Sequence, residues 1–570
     1  MKFKFLQEGE KFSQNTSGKL PLKILTLGGT TGVTKNMTVY EYGDDIIIVD
    51  CGIGFPDAEM LGVDVVLPDI TYLLENSHKV KALFVTHGHD DHIGAIPFVL
   101  KDLKMPVFAT RLVQGLIQVK LKEKDMLSGT SLRMVDPEGG PVAVGPFKVD
   151  YFRVNHSVPD SCGISIDTPQ GMVIHCADYK FDWTPVLDKP FDVAKVSRLC
   201  QNGVTLLLSD CLGATTEGYA RSEKTIEDSF DSLLEAAHGK QFFVTTVSSN
   251  VSRLEQAISS AVKHGRKVVF SGRAIDQVVE VAIKLGYLNF PQDTFIPKEK
   301  SRRFNQSELM YIVAGAYGQP ESAIGRISRG EHKDIELLDG AYVVFSADPN
   351  PPGVRDDVET LIDRLILNGA VVIESEIQGN LHVSGHGLKG DLKLMAALCK
   401  PKYYMPIGGT VRHMRAYANM ISDMGVKKEN IFELLEGDSI LLSGGTSKKG
   451  ERLSLSNVYV DGRLVGDVGE KVIEDRNVLS TNGIMAAVVT VKKDKEINAV
   501  DILTRGFIYV KESQSLISDA SNVVRNAFSQ NKKDYGNKGL FRSNLEKALS
   551  RFLYKKTGRE PLVLVSIIEV

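Results

Sequence analysis

Three imidazoles and two carboxylates fall within six consecutive residues, His87-Gly88-His89-Asp90-Asp91-His92, in a chain of 570 residues with only 12 histidines. Imidazole nitrogen and carboxylate oxygen together form the donor set for zinc or a similar divalent ion. His87 and His89 stand two apart, so in an extended loop they point the same way and can grip one ion. Asp91 and His92 follow where the chain turns toward a helix (Ile93 to Leu100) and can serve a second ion nearby. The apolar run Ala82-Leu83-Phe84-Val85 stands directly before the cluster. It reads as a buried strand that delivers the polar groups to its C-terminal edge.

Other apolar runs end in the same kind of chemistry. Asp50 closes Ile46-Ile47-Ile48-Val49, a strand expected to pair with Thr38 to Tyr42, and a carboxylate there can orient a ligand imidazole from behind. His156 sits in Arg153-Val154-Asn155-His156-Ser157, and Asp178 ends the apolar strand Met172 to Cys176. One more His and one more Asp at strand ends complete an inventory for two ions, with Asp178 able to bridge them. Cys176, two residues upstream in its strand, is expected in the core.

The elements that must position these groups are those of a soluble α/β protein. The composition is 43% hydrophobic and 24% charged, and a prior of about 150 residues per domain predicts three or four domains. No apolar run approaches the roughly 20 residues of a membrane span. Met1-Lys2-Phe3-Lys4-Phe5 leads into charged and polar residues rather than a signal-peptide segment. Cys51, Cys162, Cys176, Cys200, Cys211 and Cys399 form no CxxC pair and are expected as reduced thiols of a cytoplasmic protein. A net charge of −3 excludes a uniformly basic nucleic-acid coat, so a polyanion would have to be gripped locally.

Residues 216–365 read as an α/β insert. Its strands around Phe242, Val268, Tyr311 and Tyr342 each end in a polar turn: Ser248-Ser249-Asn250, Ser271-Gly272-Arg273, Gly315-Ala316-Tyr317-Gly318 and Ser346-Ala347-Asp348. Ligands of an open parallel sheet sit beyond such ends. The four turns, with Arg253 and Arg273, therefore predict a phosphate-binding rim. Residues 366–465 return to the first module, and 466–570 form a small C-terminal α/β module. There Phe541, Leu545, Leu549, Phe552 and Leu553 make one apolar helical face, and residues 531–570 carry nine Lys/Arg against four Asp/Glu.

The series Asp50, His87 to His92, His156 and Asp178 resembles the metallo-β-lactamase superfamily. Leu206-Leu207-Leu208-Ser209-Asp210 and Leu381-His382-Val383-Ser384-Gly385-His386-Gly387 resemble its β-CASP subgroup. Within that subgroup the chain is similar to the ribonuclease J family over nearly its whole length. The resemblance is carried also by Gly28-Gly29, Lys35-Asn36-Met37, Glu59 to Asp64, Ser248 to Arg253, Gly272-Arg273 and the tail Ile567 to Val570. It implies an αβ/βα sandwich (1–215 and 366–465), an inserted β-CASP domain and the C-terminal module. It implies hydrolysis of single-stranded RNA, 5′→3′ from monophosphate ends and internally, in ribosomal and other RNA maturation and in decay. Metal ligands would be His87, His89, Asp91, His92, His156 and Asp178, holding two divalent ions, zinc in the first instance. His382, Val383, Ser384, Gly385 and His386 would clamp RNA. Asp210 would donate a proton and His386 would touch the scissile phosphate. The C-terminal module would support a homodimer or dimer of dimers, and other RNA-decay proteins are expected partners.

One departure stands out. The family places a last metal-binding His after a Pro-Ile or Pro-Val pair, and this chain reads Pro406-Ile407-Gly408. The second ion is therefore expected to bind more weakly, or to be exchanged for Mn2+ or Mg2+, which tolerate oxygen and water ligands. A catalytically weakened RNA-binding scaffold is the alternative that Gly408 raises. His413, five residues on, is expected to begin the next helix.

Overall fold

The structure is a computed structural model describing residues 20–348, 354–375, 380–462, 464–509 and 513–570. Period-two burial builds its first unit. Leu206 and Leu208 face one cluster of apolar side chains while Leu207 between them faces another, and the pairs Val173/Ile174 and Met405/Tyr404 split the same way. Strands buried on both faces need cover on both faces.

The inner cover is a second sheet. Eight strands, including Leu22–Gly28, Met37–Tyr42, Asp45–Val49 and Val80–Phe84, present Leu22, Ile24, Tyr40, Ile47, Val49 and Phe84 to six strands that include Phe147–Arg153, Gly171–Cys176, Leu206–Asp210 and Tyr403–Ile407. The outer cover of the six-stranded sheet comes from Met395 and Cys399 of helix Lys389–Cys399 and from Met414 and Tyr417 of helix Val411–Asp423. Beyond the other sheet, helices Ile96–Asp102 and Arg111–Glu123 bury their own apolar stripes. The result is an αβ/βα sandwich. Truncating a side chain such as Leu207 to Ala would cost about 2–5 kcal/mol, the range for a well-packed core. Gly171–Cys176, Leu206–Asp210 and Tyr403–Ile407 run parallel side by side, so their C-terminal ends share one edge.

The insert is a five-stranded, all-parallel sheet in the order Lys267–Ser271, Leu309–Val313, Phe242–Thr245, Tyr342–Phe345, Val371–Ile373, whose last strand lies beyond the expected boundary at 365. The four polar turns therefore do share its C-terminal edge. Arg273 stands exposed there, at the start of helix Arg273–Lys284. Arg253 does not belong to the rim as expected. It is 0% exposed, and both its terminal nitrogens bond inside the protein, while Nε is buried without a partner. The helix expected over Ile93 to Leu100 is broken into Asp90–Ile93 and Ile96–Asp102 by a turn at Gly94-Ala95.

The second unit comprises residues 458–570 together with the distant segment 56–65. Its three-stranded sheet pairs Ile484–Val491 with Ile497–Arg505 and Leu562–Glu569. Helix Lys538–Thr557 buries Phe541, Leu545, Leu549 and Leu553 in a core shared with the sheet and with helix Gln514–Gln530. Segment 56–65 is held by backbone bonding of Asp64 to Val460 and by the Arg476 guanidinium donating to the Leu61 carbonyl at 2.8 Å. Gly62, at φ +78°, admits that guanidinium, because a Cβ there would lie 2.6 Å from Nη1.

Candidate metal centre

Five strand ends meet at one edge of the sandwich. Val80–Phe84 delivers His87, Phe147–Arg153 delivers His156, Gly171–Cys176 delivers Asp178, Leu206–Asp210 ends in Asp210, and Asp45–Val49 leads into Asp50. His87, His89, His156 and Asp178 each bring a donor atom within 4.8 Å of the others, and so do Asp91, His92 and Asp178. Asp178 Oδ2 lies 3.5 Å from His87 Nε2, 3.5 Å from His156 Nε2 and 3.6 Å from His92 Nε2. It is the shared corner of both groups.

The imidazoles are held from behind. Asp50, at φ +62°, accepts from the Thr86 backbone and hydroxyl at 2.8 Å each and from His92 Nδ1 at 2.8 Å. Because the Thr86 hydroxyl donates to Asp50, it accepts from His87 Nδ1 at 3.0 Å. His156 Nδ1 donates to the Gly385 carbonyl at 2.7 Å, and His89 Nε2 bonds the Ser157 hydroxyl at 3.1 Å. The outward bonds of His87 and His156 fix their tautomers and turn Nε2 of each toward the centre. Thr86, Ser157 and Gly385's carbonyl were not singled out from sequence in this role; only the neighbourhood of each to a His hinted at it.

The bare atoms fit a divalent ion. His87 Nε2 is buried with no hydrogen-bond partner, and His89 Nδ1 stands 3.0 Å from His156 Nε2. Burial and the neighbouring imidazoles keep His87 and His156 well below the usual imidazole range, and burial pushes His89 down to about 3. All three are held neutral, the form in which an imidazole could bind an ion. Burial opposes charge on Asp178, yet His386 and His92 hold its carboxyl well below the usual range. His92 behaves oppositely: despite burial, Asp178, Asp50 and Asp91 raise it well above its ordinary value. That excess of negative charge is what a cation would neutralise. Cys176 is buried in the core, where desolvation raises its thiol, as expected of a residue that is not a ligand.

Around the second group the support is thinner. Asp91 Oδ2 lies 3.6 Å from His92 Nε2, and the Asn36 amide nitrogen lies 3.0 Å from that same atom. Gly408, at φ +68°, stands at the open corner, where a Cβ would lie 3.7 Å from Asp178 Oδ1 and 3.7 Å from Asp210 Oδ1. His413 does not reach in. It begins helix Val411–Asp423, with Nδ1 3.0 Å from the Thr410 hydroxyl.

On the far side His386 Nδ1 donates to Asp210 Oδ2 at 2.7 Å while its Nε2 lies 3.8 Å from Asp178 Oδ2. Burial raises the Asp210 carboxyl, and His386, although buried, is lifted to about 9 by Asp210 and Asp178. The pair thus retains a proton at neutral pH. Ser384's hydroxyl donates to the His386 carbonyl and accepts from its N–H, and Val383 is buried, so both shape the loop. Gly385 must be glycine, since a Cβ would lie 2.8 Å from the His156 ring. From the insert, Tyr317 leans close enough to Asp91 that burial, Asp348 and Asp91 together raise its phenol to about 12.

Fold and site define a metal-dependent hydrolase of the metallo-β-lactamase type with an inserted domain. Family models agree: Metallo-beta-lactamase superfamily over residues 30–232, Ribonuclease J, beta-CASP domain over 239–365, and Ribonuclease J C-terminal domain over 471–570. The chain is 38% identical to Ribonuclease J 1 of Streptococcus pyogenes, covering 96% of this chain and 97% of that one. It is 36% identical to Ribonuclease J2 of Bacillus subtilis, covering 96% and 99%, and 35% identical to Ribonuclease J of Synechocystis, covering 96% and 86%. The chain belongs to the ribonuclease J family, a family of β-CASP metal-dependent nucleases.

Proposed function

We propose that this nuclease hydrolyses phosphodiester bonds of single-stranded RNA, both 5′→3′ from monophosphate ends and internally, in cytoplasmic RNA maturation and decay. The observation that carries it is the convergence of His87, His89, His156 and Asp178 beside the Asp210–His386 pair. His87, His89, His156 and Asp178 would hold one ion, zinc by its donor set, and Asp91, His92 and Asp178 a second, weaker one open to Mn2+ or Mg2+. Bound there, divalent ions supply a nucleophilic water at neutral pH and offset charge on the phosphodiester.

The chain's own groups do the rest. Asp210 and His386 hold a proton 2.7 Å apart, positioned for the leaving oxygen. His382 to His386 grip the adjoining phosphate, and the insert's rim with Arg273 receives the 5′ monophosphate. Residues 466–570 carry the contacts of a homodimer or dimer of dimers.

A second reading, a weakened RNA-binding scaffold, is favoured by Gly408 alone. Incubating the purified protein with 5′-monophosphorylated RNA, with and without chelator, separates the two. Cleavage abolished by chelator and restored by a divalent ion supports the nuclease. Binding without cleavage under every divalent ion tried leaves the scaffold.

A further inference from the structure

Among the described residues, Arg253 is the largest side chain wholly shut off from solvent. It stands on the first turn of helix Val251–Lys263, at the C-terminal edge of the insert's sheet. Nη1 donates to the Ser346 hydroxyl at 2.6 Å and to the carbonyls of Ser346 and Leu381 at 3.1 and 3.0 Å. Nη2 pairs with Glu223 at 2.8 Å. The Ser346 hydroxyl donates to the same Leu381 carbonyl at 2.7 Å. Glu223 in turn holds Lys180 at 3.4 Å, two residues beyond Asp178, and its own N–H bonds Asp182 at 3.0 Å.

Stability alone does not account for this arrangement. Each buried charge costs several kcal/mol of desolvation, and apolar residues of similar volume would serve a junction as well or better. What a guanidinium supplies that they cannot is a rigid fork, fixing two directions at once. Here one direction ends on the carbonyl immediately before His382, and the other on the carboxylate that holds the chain just past Asp178. The clamp's two bonds to the centre, Gly385 to His156 and His386 to Asp210, are both 2.7 Å. A displacement of about 1 Å takes such bonds out of range. The charge of Arg253 also reaches His382, whose imidazole burial and Arg253 keep down at about 4.

We propose that Arg253 is a positioning residue for the RNA clamp: by tying Leu381 to Glu223 and Lys180, it sets where His382 to His386 stand relative to the metal centre. This rests on the RNA-cleaving reading above.

Four proteins test it: the wild type, Arg253→Met, Arg253→Lys and the double variant Arg253→Met/Glu223→Gln. Each is measured for metal content, thermal midpoint, cleavage of 5′-monophosphorylated RNA, and hydrolysis of bis(p-nitrophenyl) phosphate, a diester too small to span the clamp. Arg253→Met is expected to lower kcat/KM for RNA roughly 10²-fold, the scale of a misplaced substrate. At saturating ion the metal should be retained, and the small diester, whose nitrophenolate leaves without needing a proton, should lose less than about tenfold. Arg253→Lys, which keeps the charge and loses the fork, falls between. The double variant removes both partners of the pair, so it should regain the thermal midpoint lost by the single one without regaining RNA cleavage. Recovery of RNA cleavage along with the midpoint would reduce Arg253 to a structural role and overturn the proposal. Parallel loss of metal, small diester and RNA would overturn it too, by placing the defect in the centre. A wild type that holds metal but cleaves no RNA refutes the RNA reading itself, and the positioning role falls with it.

Discussion

The two groups proposed to hold ions share Asp178 and differ in how their other members are held. In the first, all three imidazoles are fixed from behind, by Thr86, Ser157 and the Gly385 carbonyl. In the second, His92 is fixed by Asp50, but its inner nitrogen already meets the Asn36 amide, and the corner beside Asp178 belongs to a glycine. The lesson is that one cluster of candidate ligands divides into two groups of unequal quality. The inequality lies in the supporting bonds and the missing side chain more than in the number of donors.

Removing a member of the well-supported group should have the largest effect. His89→Ala is expected to lower hydrolysis by more than about 10²-fold, beyond what losing a supporting group costs, with the fold retained by circular dichroism. Full activity would contradict the assignment. Asp50→Ala tests the support itself. Its carboxylate stands under both groups, reaching His92 directly and His87 through Thr86. Affinity for both ions should fall about 10–100-fold, read by competition with a chelating dye. Weakening of the second ion alone would remove Thr86 from the account.

A smaller effect concerns the proton on the far side. In metal-free protein His386 should titrate near 9 by NMR, and Asp210→Asn should bring it down toward the ordinary imidazole value of 6.5. Its folded value is raised, so protonated His386 stabilises the metal-free fold fully below about pH 6.5. That contribution is lost as pH rises through about 9. A titration that ignores Asp210→Asn would break the pairing. Smallest is Gly408→His, which supplies the absent ligand. The second ion should bind more tightly by calorimetry, at a cost of about 1–2 kcal/mol for a non-glycine residue in left-handed backbone. Unchanged stoichiometry would show that Asn36, rather than Gly408, limits the site.

Much of the centre was legible because its residues follow apolar runs. His87, His156, Asp178 and Asp210 each close a strand whose burial pattern is written in Val, Leu, Ile and Phe. The supporting groups were not. Thr86, Ser157 and Asn36 are ordinary loop residues by type, and only folding shows which imidazole each one meets. Arg253 misled because an arginine at a strand-to-helix turn reads as a solvent-facing cation. Its partners Glu223 and Leu381 lie far off in the chain, and no local pattern announces them. Strand Ile497–Arg505 also escaped, its alternation blurred by an exposed Leu503 on the outer face and by a register shift between Ile497 and Ala499. Segment 56–65 was legible only as a similar stretch, since its attachment to residues 458–570 depends on contacts about four hundred positions away.

The order of strands has a consequence for how the molecule is made. Leu22–Gly28 pairs on one side with Met37–Tyr42 and on the other with Ser439–Ser443, and Leu206–Asp210, parallel to Gly171–Cys176 on one side, gains its second neighbour only at Tyr403–Ile407. During synthesis the early strands leave the ribosome with one edge open while the whole insert is translated. At roughly 5–20 residues per second, that is an interval of order ten seconds or more. His156 likewise waits for the Gly385 carbonyl that orients it. The insert, which can close its own parallel sheet from local strands, is complete before the sandwich that carries it.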